Sequence, residues 1–226
     1  MNEALETNIA QWIERIGNAS VRFGGAEICA VTKTVPVEIV NRAYAAGIRT
    51  IGENRVQELL SKKEALDSRY AVHLIGRLQT NKVKAMIDQV DLVQSLDRVE
   101  LAQALNRRAE EAGRTLPVLV QVNIGEEAQK AGFAEEALLP FLQGIEAYPA
   151  LRVQGLMAIL PIADDPNDLR PLFRRMRGWF ERLRDMDLPG VQMRTLSMGM
   201  SDDCIVAAEE GATMVRLGRA LFGSRQ

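Results

Sequence analysis

The chain has 226 residues, 47% hydrophobic and 26% charged, with 28 basic against 30 acidic side chains and a formal net charge of −2. That balance gives no global attraction to nucleic acid or an anionic membrane, and the length suits one large domain with a full core better than two small ones. Cys29 and Cys204 lie far apart in apolar or helical contexts without a metal-ligand spacing, so they read as free thiols of a reducing compartment.

The N-terminal Met-Asn-Glu-Ala-Leu-Glu carries early acids and no long apolar run, which argues against a secretory signal or membrane span and predicts a cytoplasmic protein. A helix over Ala4–Phe23 is followed by a strand over Glu27–Thr32, a helix over Val37–Ala46 and a strand over Thr50–Gly52. Next come a helix at Val56–Leu66, a strand at Ala71–Ile75, a helix at Lys82–Ile87 and a strand at Leu92–Gln94. The pattern continues with helices at Arg98–Ala112, Glu135–Ala147, Leu169–Met186 and Asp202–Glu210, alternating with strands at Val118–Val122, Arg152–Met157, Arg194–Ser197 and Thr213–Leu217. Short apolar strands alternating with helices of 3.6 period specify a parallel sheet of βα units. Eight of them in so short a chain predict a single-domain (β/α)8 TIM barrel spanning 1–226, with the N-terminal helix at about 4–23 and the barrel at about 26–223. An open doubly wound sheet fits less well, because no GxGxxG follows the first strand.

Such a barrel carries its chemistry at the C-terminal ends of its strands. The residues expected there are Lys33, Glu53 with Asn54, Gly76 with Gln79, Thr80 and Asn81, Ser95, Asn123, Met157, Ser197 with Met198, and Arg216 with Gly218. After the last two strands, LSMGMS and RLG are small-residue loops whose backbone amides can approach a phosphate, so a phosphorylated cofactor or substrate is expected. Lys33 ends an apolar strand: poor solvation of its charged form would make it a nucleophile toward an aldehyde, and the alternative is a lysine that snorkels into solvent. Arg216, in Met214–Gly218, points into the barrel and needs an acceptor, either an unprotonated pyridine nitrogen or a carboxylate such as Glu53.

Other conspicuous residues read structurally. His73 is the sole histidine, which leaves no histidine pair for zinc, and it reads as a packed strand-end or site-wall residue. Asp202 and Asp203 suit a first helical turn with Ser201 as N-cap. Gln79–Lys82 either contacts a ligand or starts a helix, and the sequence does not choose. In Arg170–Arg184 an apolar stripe of Leu172, Phe173, Met176, Phe180 and Leu183 leaves the arginines on a solvated face. The segment Pro161–Asn167 reads as a surface connection or flap.

Taken together, the motifs VTKTVP (Val31–Pro36), GENRVQE (Gly52–Glu58), HLIGRLQTNK (His73–Lys82), VNIGEEAQKAG (Val122–Gly132), GLMA (Gly155–Ala158) and the C-terminal run to Gly223 resemble, in order, the pyridoxal phosphate homeostasis protein family. Its members resemble the barrel domain of alanine racemase and carry pyridoxal 5'-phosphate (PLP). The resemblance implies that Lys33 holds PLP as an internal aldimine, that Ser197 and the backbone amides of Gly218 and Arg219 bind the phosphate, and that Arg216 faces the pyridine nitrogen. Asn54, His73 and Met157 would lie near the ring or site wall. Arg219 departs from the Ser or Thr of many relatives, and its guanidinium would either add charge near the phosphate or turn to solvent.

Alanine racemase also has a second domain that supplies the second proton-transfer base. The chain ends three residues after Gly223 and is not expected to contain one. A PLP carrier acting in vitamin B6 homeostasis without efficient catalysis is therefore the expected function, with PLP-dependent apoenzymes as recipients. It is expected to work as a monomer, with a dimer as the alternative. The competing readings are a low-activity PLP-dependent amino-acid racemase and a PLP-independent phosphosugar enzyme in which Lys33 bonds the substrate. No metal, nucleic-acid or membrane partner is expected.

Overall fold

The computed structural model describes residues 2–125 and 131–223. Eight parallel strands close into a barrel in chain order: β1 (Glu27–Val31), β2 (Thr50–Glu53), β3 (Ala71–Leu74), β4 (Leu92–Leu96), β5 (Leu116–Val122), β6 (Leu151–Ala158), β7 (Val191–Ser197) and β8 (Met214–Leu217). The ring is sealed where β8 pairs with β1, in a register that sets Arg216 beside Cys29. This is the expected (β/α)8 barrel.

The helices are α1 (Asn2–Ser20), α2 (Val37–Ala45), α3 (Val56–Lys62), α4 (Val83–Met86), α5 (Val99–Glu111), α6 (Glu135–Gln143), α7 (Arg170–Asp185), α8 (Cys204–Glu209) and α9 (Arg219–Phe222). Several boundaries differ from the sequence expectation. The first helix tightens into a 3-10 turn at Val21–Phe23, and the segment expected as a helix from Lys82 opens with a 3-10 turn at Thr80–Lys82. The expected Glu135–Ala147 helix breaks at Gly144 and resumes as a 3-10 turn, after a proline at position 140 has weakened its hydrogen-bond ladder. The eighth strand is followed by α9, which the sequence reading lacked.

Side chains alternate between the two faces of each strand. The outward faces meet the apolar stripes of the helices; Phe173, Met176, Phe180 and Leu183 of α7 are all buried, each burial stabilising by about 1.5–3 kcal/mol. The arginines of α7 lie on its outer side and find carboxylates: Arg170 and Arg174 pair with Glu210, and Arg175 with Glu135. Inward-facing residues form two small apolar clusters, Cys29–Ile75–Met214 and Leu92–Leu119–Met157. Beside them lie the buried polar side chains of His73, Gln94, Ser197 and Arg216. Helix α1 is fastened to the end of the chain, since Asn8 Nδ2 donates to the carbonyls of Ala220 (2.8 Å) and Leu221 (2.9 Å). No helix among the described residues is long and apolar enough to cross a membrane.

Candidate functional site

Lys33 lies in the turn after β1, two residues beyond the strand's last residue, and is partly buried. The residues on either side of it are pinned. Thr32 is fully buried and donates its hydroxyl to Glu53 Oε1 at 2.6 Å, while its carbonyl accepts from Lys62 Nζ at 2.7 Å. The same ammonium reaches Glu53 Oε1 (3.1 Å) and Glu58 Oε1 (2.6 Å). Thr34 adopts φ 64°, a left-handed conformation that costs a β-branched residue about 1–3 kcal/mol, and its amide donates to Glu58 Oε1 at 2.5 Å. A strained turn held by a buried ionic cluster presents Lys33 in a defined place. Burial pushes the Glu53 carboxyl above its usual range, against the lowering effect of its bonds to Thr32 and Lys62.

A cavity of about 470 Å³ adjoins this turn, lined by Lys33, Thr34 and Pro36 on one side and by Gly218, Arg219 and Phe222 on the other. Gly218 stands at the N-cap of α9. The Arg219 side chain is 61% exposed and donates to Asp202 Oδ2 at 2.5 Å, so its guanidinium is engaged by Asp202 at the surface.

Four inward residues form a continuous hydrogen-bonded chain. Arg216, 4% exposed, donates from one guanidinium nitrogen to Ser197 Oγ (2.7 Å) and from the other to the Ala158 carbonyl (2.7 Å). Ser197 donates to Gln94 Oε1 (2.7 Å), and Gln94 Nε2 lies 2.9 Å from His73 Nδ1. With Gln94 donating, His73 carries its proton on Nε2. Burial pulls the His73 imidazole down to about 4 and weakens the hold of Arg216 on its proton. The salt bridge from Arg216 to Glu53 considered from the sequence is not formed: Thr32 and Lys62 hold Glu53 Oε1, its buried Oε2 has no hydrogen-bond partner among the described residues, and Arg216 is committed to Ser197 and the Ala158 carbonyl.

Asn54 directly follows β2 beside a different cavity, and its buried Oδ1 has no hydrogen-bond partner among the described residues. Its backbone passes so close to Gly76 that a Cβ at Gly76 would lie 2.2 Å from the Asn54 carbonyl oxygen, so only glycine fits there. Across the barrel, Gly199 (φ 92°) brings the loop after β7 against α8 and accepts from the Arg216 amide at 3.0 Å. Helix α8 begins at Cys204, not at Asp202, and Asp203 is its N-cap residue. The Ser201 hydroxyl instead accepts from the Ala220 amide at 3.3 Å, joining the loops after β7 and β8.

The structure thus brings Lys33, Gly218 and Arg219 to one cavity and links His73, Ser197 and Arg216 inside the barrel. Asn54 lies at a neighbouring cavity, and Met157 is fully buried in an interior apolar cluster. Ser95, expected at a strand end, lies within β4 and donates to the Gly76 carbonyl at 2.7 Å. Residues 126–130 of the VNIGEEAQKAG motif lie outside the described residues. Gln94 and Lys62 were missed as site residues. Each had a signal: a glutamine inside the buried run LVQSL needs partners, and Glu58 and Lys62 are four residues apart on one helix. Both cysteines are buried, with thiols pushed up to about 12, and no group of three His, Cys, Asp or Glu able to hold a metal exists among the described residues.

Residues 2–226 match the family described as alanine racemase, N-terminal domain. The pyridoxal phosphate homeostasis protein of Aquifex aeolicus is 44% identical over 96% of this chain and 97% of its own. PipY of Synechococcus elongatus PCC7942 with PLP bound superimposes with a TM-score of 0.80 at 34% identity, covering 95% of this chain and 100% of that one. PipY without PLP gives 0.82 at 35% identity, covering 93% and 99%.

Proposed function

The chain belongs to the pyridoxal phosphate homeostasis protein family, and from that premise we propose that it binds PLP covalently through Lys33 and serves intracellular PLP homeostasis without efficient catalysis of its own. The observation that carries this reading is the pinned Lys33 turn, which shares a cavity with Gly218 and Arg219. Asn54 lines the neighbouring cavity and not the one beside Lys33; we assign it to the ring only on the wall between the two, where its buried Oδ1, without a hydrogen-bond partner among the described residues, suits a donor such as the ring hydroxyl of PLP. When bound, PLP supplies an aldehyde that an amine captures reversibly and a ring that withdraws electrons.

The protein's own groups then divide the work. Lys33 reacts through its neutral, unprotonated amine. The Gly218 and Arg219 amides are assigned to the phosphate. Ser197 has a lone pair to spare but donates its proton to Gln94, so it can donate to a phosphate oxygen only by releasing that bond. Arg216 is assigned to the pyridine nitrogen, which it would keep unprotonated, and His73 and Met157 to the wall beneath. A low-activity racemase would need a second base opposite Lys33, and His73, bonded to Gln94 and with its affinity for a proton reduced to about 4, does not favour that reading. PLP-dependent apoenzymes are the proposed recipients and the cytoplasm the proposed compartment. The monomer is the proposed working unit, with a dimer as the alternative, and the whole chain is proposed to act as one domain.

Lys33→Ala tests the assignment. PLP should wash out of this variant on desalting, whereas the wild type retains it, and weak phosphate-mediated binding should survive at equilibrium. Equal retention in the two proteins would overturn the role of Lys33.

A further inference from the structure

We propose that the cavity between the loops after β2 and β3 and the start of α5 is a second ligand site, built for a phosphate ester and separate from the Lys33 cavity. It encloses about 500 Å³, room for one cofactor-sized molecule. Its walls bring together four cationic side chains from three segments: Arg55 after β2, Arg77 and Lys82 after β3, and Arg98 before α5. Among the described residues, the one carboxylate that pairs with any of them is the buried Asp97, which is shared between Arg98 and Arg77 (3.4 Å). Arg98 is further fixed by donating to the Leu78 carbonyl at 3.0 Å. Asp97 therefore orients two guanidinium groups and leaves the cavity strongly positive.

The arginines of α7 show what a merely solvated basic face does in this protein. There, Arg170, Arg174 and Arg175 each close onto a glutamate. Around the cavity, Arg55 and Lys82 have no salt-bridge partner among the described residues. Position sharpens the contrast. An N-cap is normally Ser, Thr, Asp or Asn, whose oxygen accepts from the first-turn amides. Arg98 occupies that position in the 13-residue α5, accepts nothing, and adds its charge to the positive end of the helix dipole. An anion in the cavity would relieve all of these repulsions at once. Guanidinium forks favour phosphate because they can bind its oxygens in pairs. A net charge of −2 over the whole chain and a concave site of this size favour a small molecule over nucleic acid. The motif HLIGRLQTNK, whose role the sequence left open, contributes Arg77, Gln79 and Lys82 to these walls.

The test uses inorganic pyrophosphate as probe, titrated calorimetrically into the full-length protein at low salt. Saturable one-site binding is expected, at least tenfold weaker in Arg77→Gln/Lys82→Gln. It should be unchanged in Lys84→Gln, an exposed neighbour on α4, and unchanged in wild-type protein whose Lys33 cavity has first been filled by PLP and reduced with borohydride. Absence of saturable binding would overturn the proposal, as would equal affinity in the double variant or an equal loss in Lys84→Gln. Loss of binding in the PLP-filled, borohydride-reduced protein would overturn it too, because the probe would then be shown to occupy the Lys33 cavity. PLP attachment at Lys33 is measured in parallel on the wild type, so its failure would sink the PLP reading while leaving the pyrophosphate result to stand or fall alone.

Discussion

His73 is the buried ionisable side chain whose behaviour most directly reports the polar chain inside the barrel. The unfolded chain takes up a proton on His73 as the pH falls through about 6.5, while the folded chain resists until about 4. The unfolded state therefore binds more protons in that interval. The stability this group contributes is complete above pH 6.5 and is lost as the pH drops to 4, about 3 kcal/mol in all. His73→Asn keeps an acceptor for Gln94 without a titrating group. Urea unfolding of the wild type should lose about 3 kcal/mol more than this variant between pH 7 and pH 4. Parallel pH profiles would show that His73 is not held neutral by burial. Lys33 and Arg216 were legible in the sequence because a charge in or beside an apolar strand stands out. Gln94 was not, because its partners are far along the chain: Ser197 lies 103 positions away and Met214 lies 120 away.

The β1–α2 turn depends on a helix that no local signal connects to it. Lys62, at the end of α3, ties together the Thr32 carbonyl, Glu53 of β2 and Glu58 of its own helix. Its side chain is 15% exposed and that of Glu53 1%, so removing the ammonium strands a buried carboxylate. Lys62→Met should destabilise by about 3 kcal/mol at neutral pH, measured by urea unfolding. The penalty should shrink as the pH falls, because Glu53 takes up a proton, and Glu53→Gln added to Lys62→Met should recover most of the loss. A neutral Lys62→Met would mean the turn does not rest on this cluster. Periodicity located most elements but not their ends. Strands β5, β6 and β7 start earlier than expected, at Leu116, Leu151 and Val191, where buried apolar residues extend the pairing. Helix α9 has four residues, too few to show a helical period, so it was invisible in the sequence although it carries Arg219.

Over the whole molecule, barrel closure makes one site from distant segments. Pairing of β8 with β1 carries Gly218 and Arg219 to the Lys33 turn, and Asn8 of α1 bonds the carbonyls of α9 behind them. The barrel was legible because strand and helix alternate through the chain, whereas the division of its mouth into two cavities was not, since that depends on where long side chains such as Arg98 come to rest. This mouth is proposed to hold PLP on Lys33. The most direct test is to add PLP to the purified protein, record the visible spectrum, reduce with borohydride and map the peptides by mass. A pyridoxyl group on Lys33 alone is the predicted result. No adduct, or one scattered over Lys62, Lys63 and Lys82, would contradict the account.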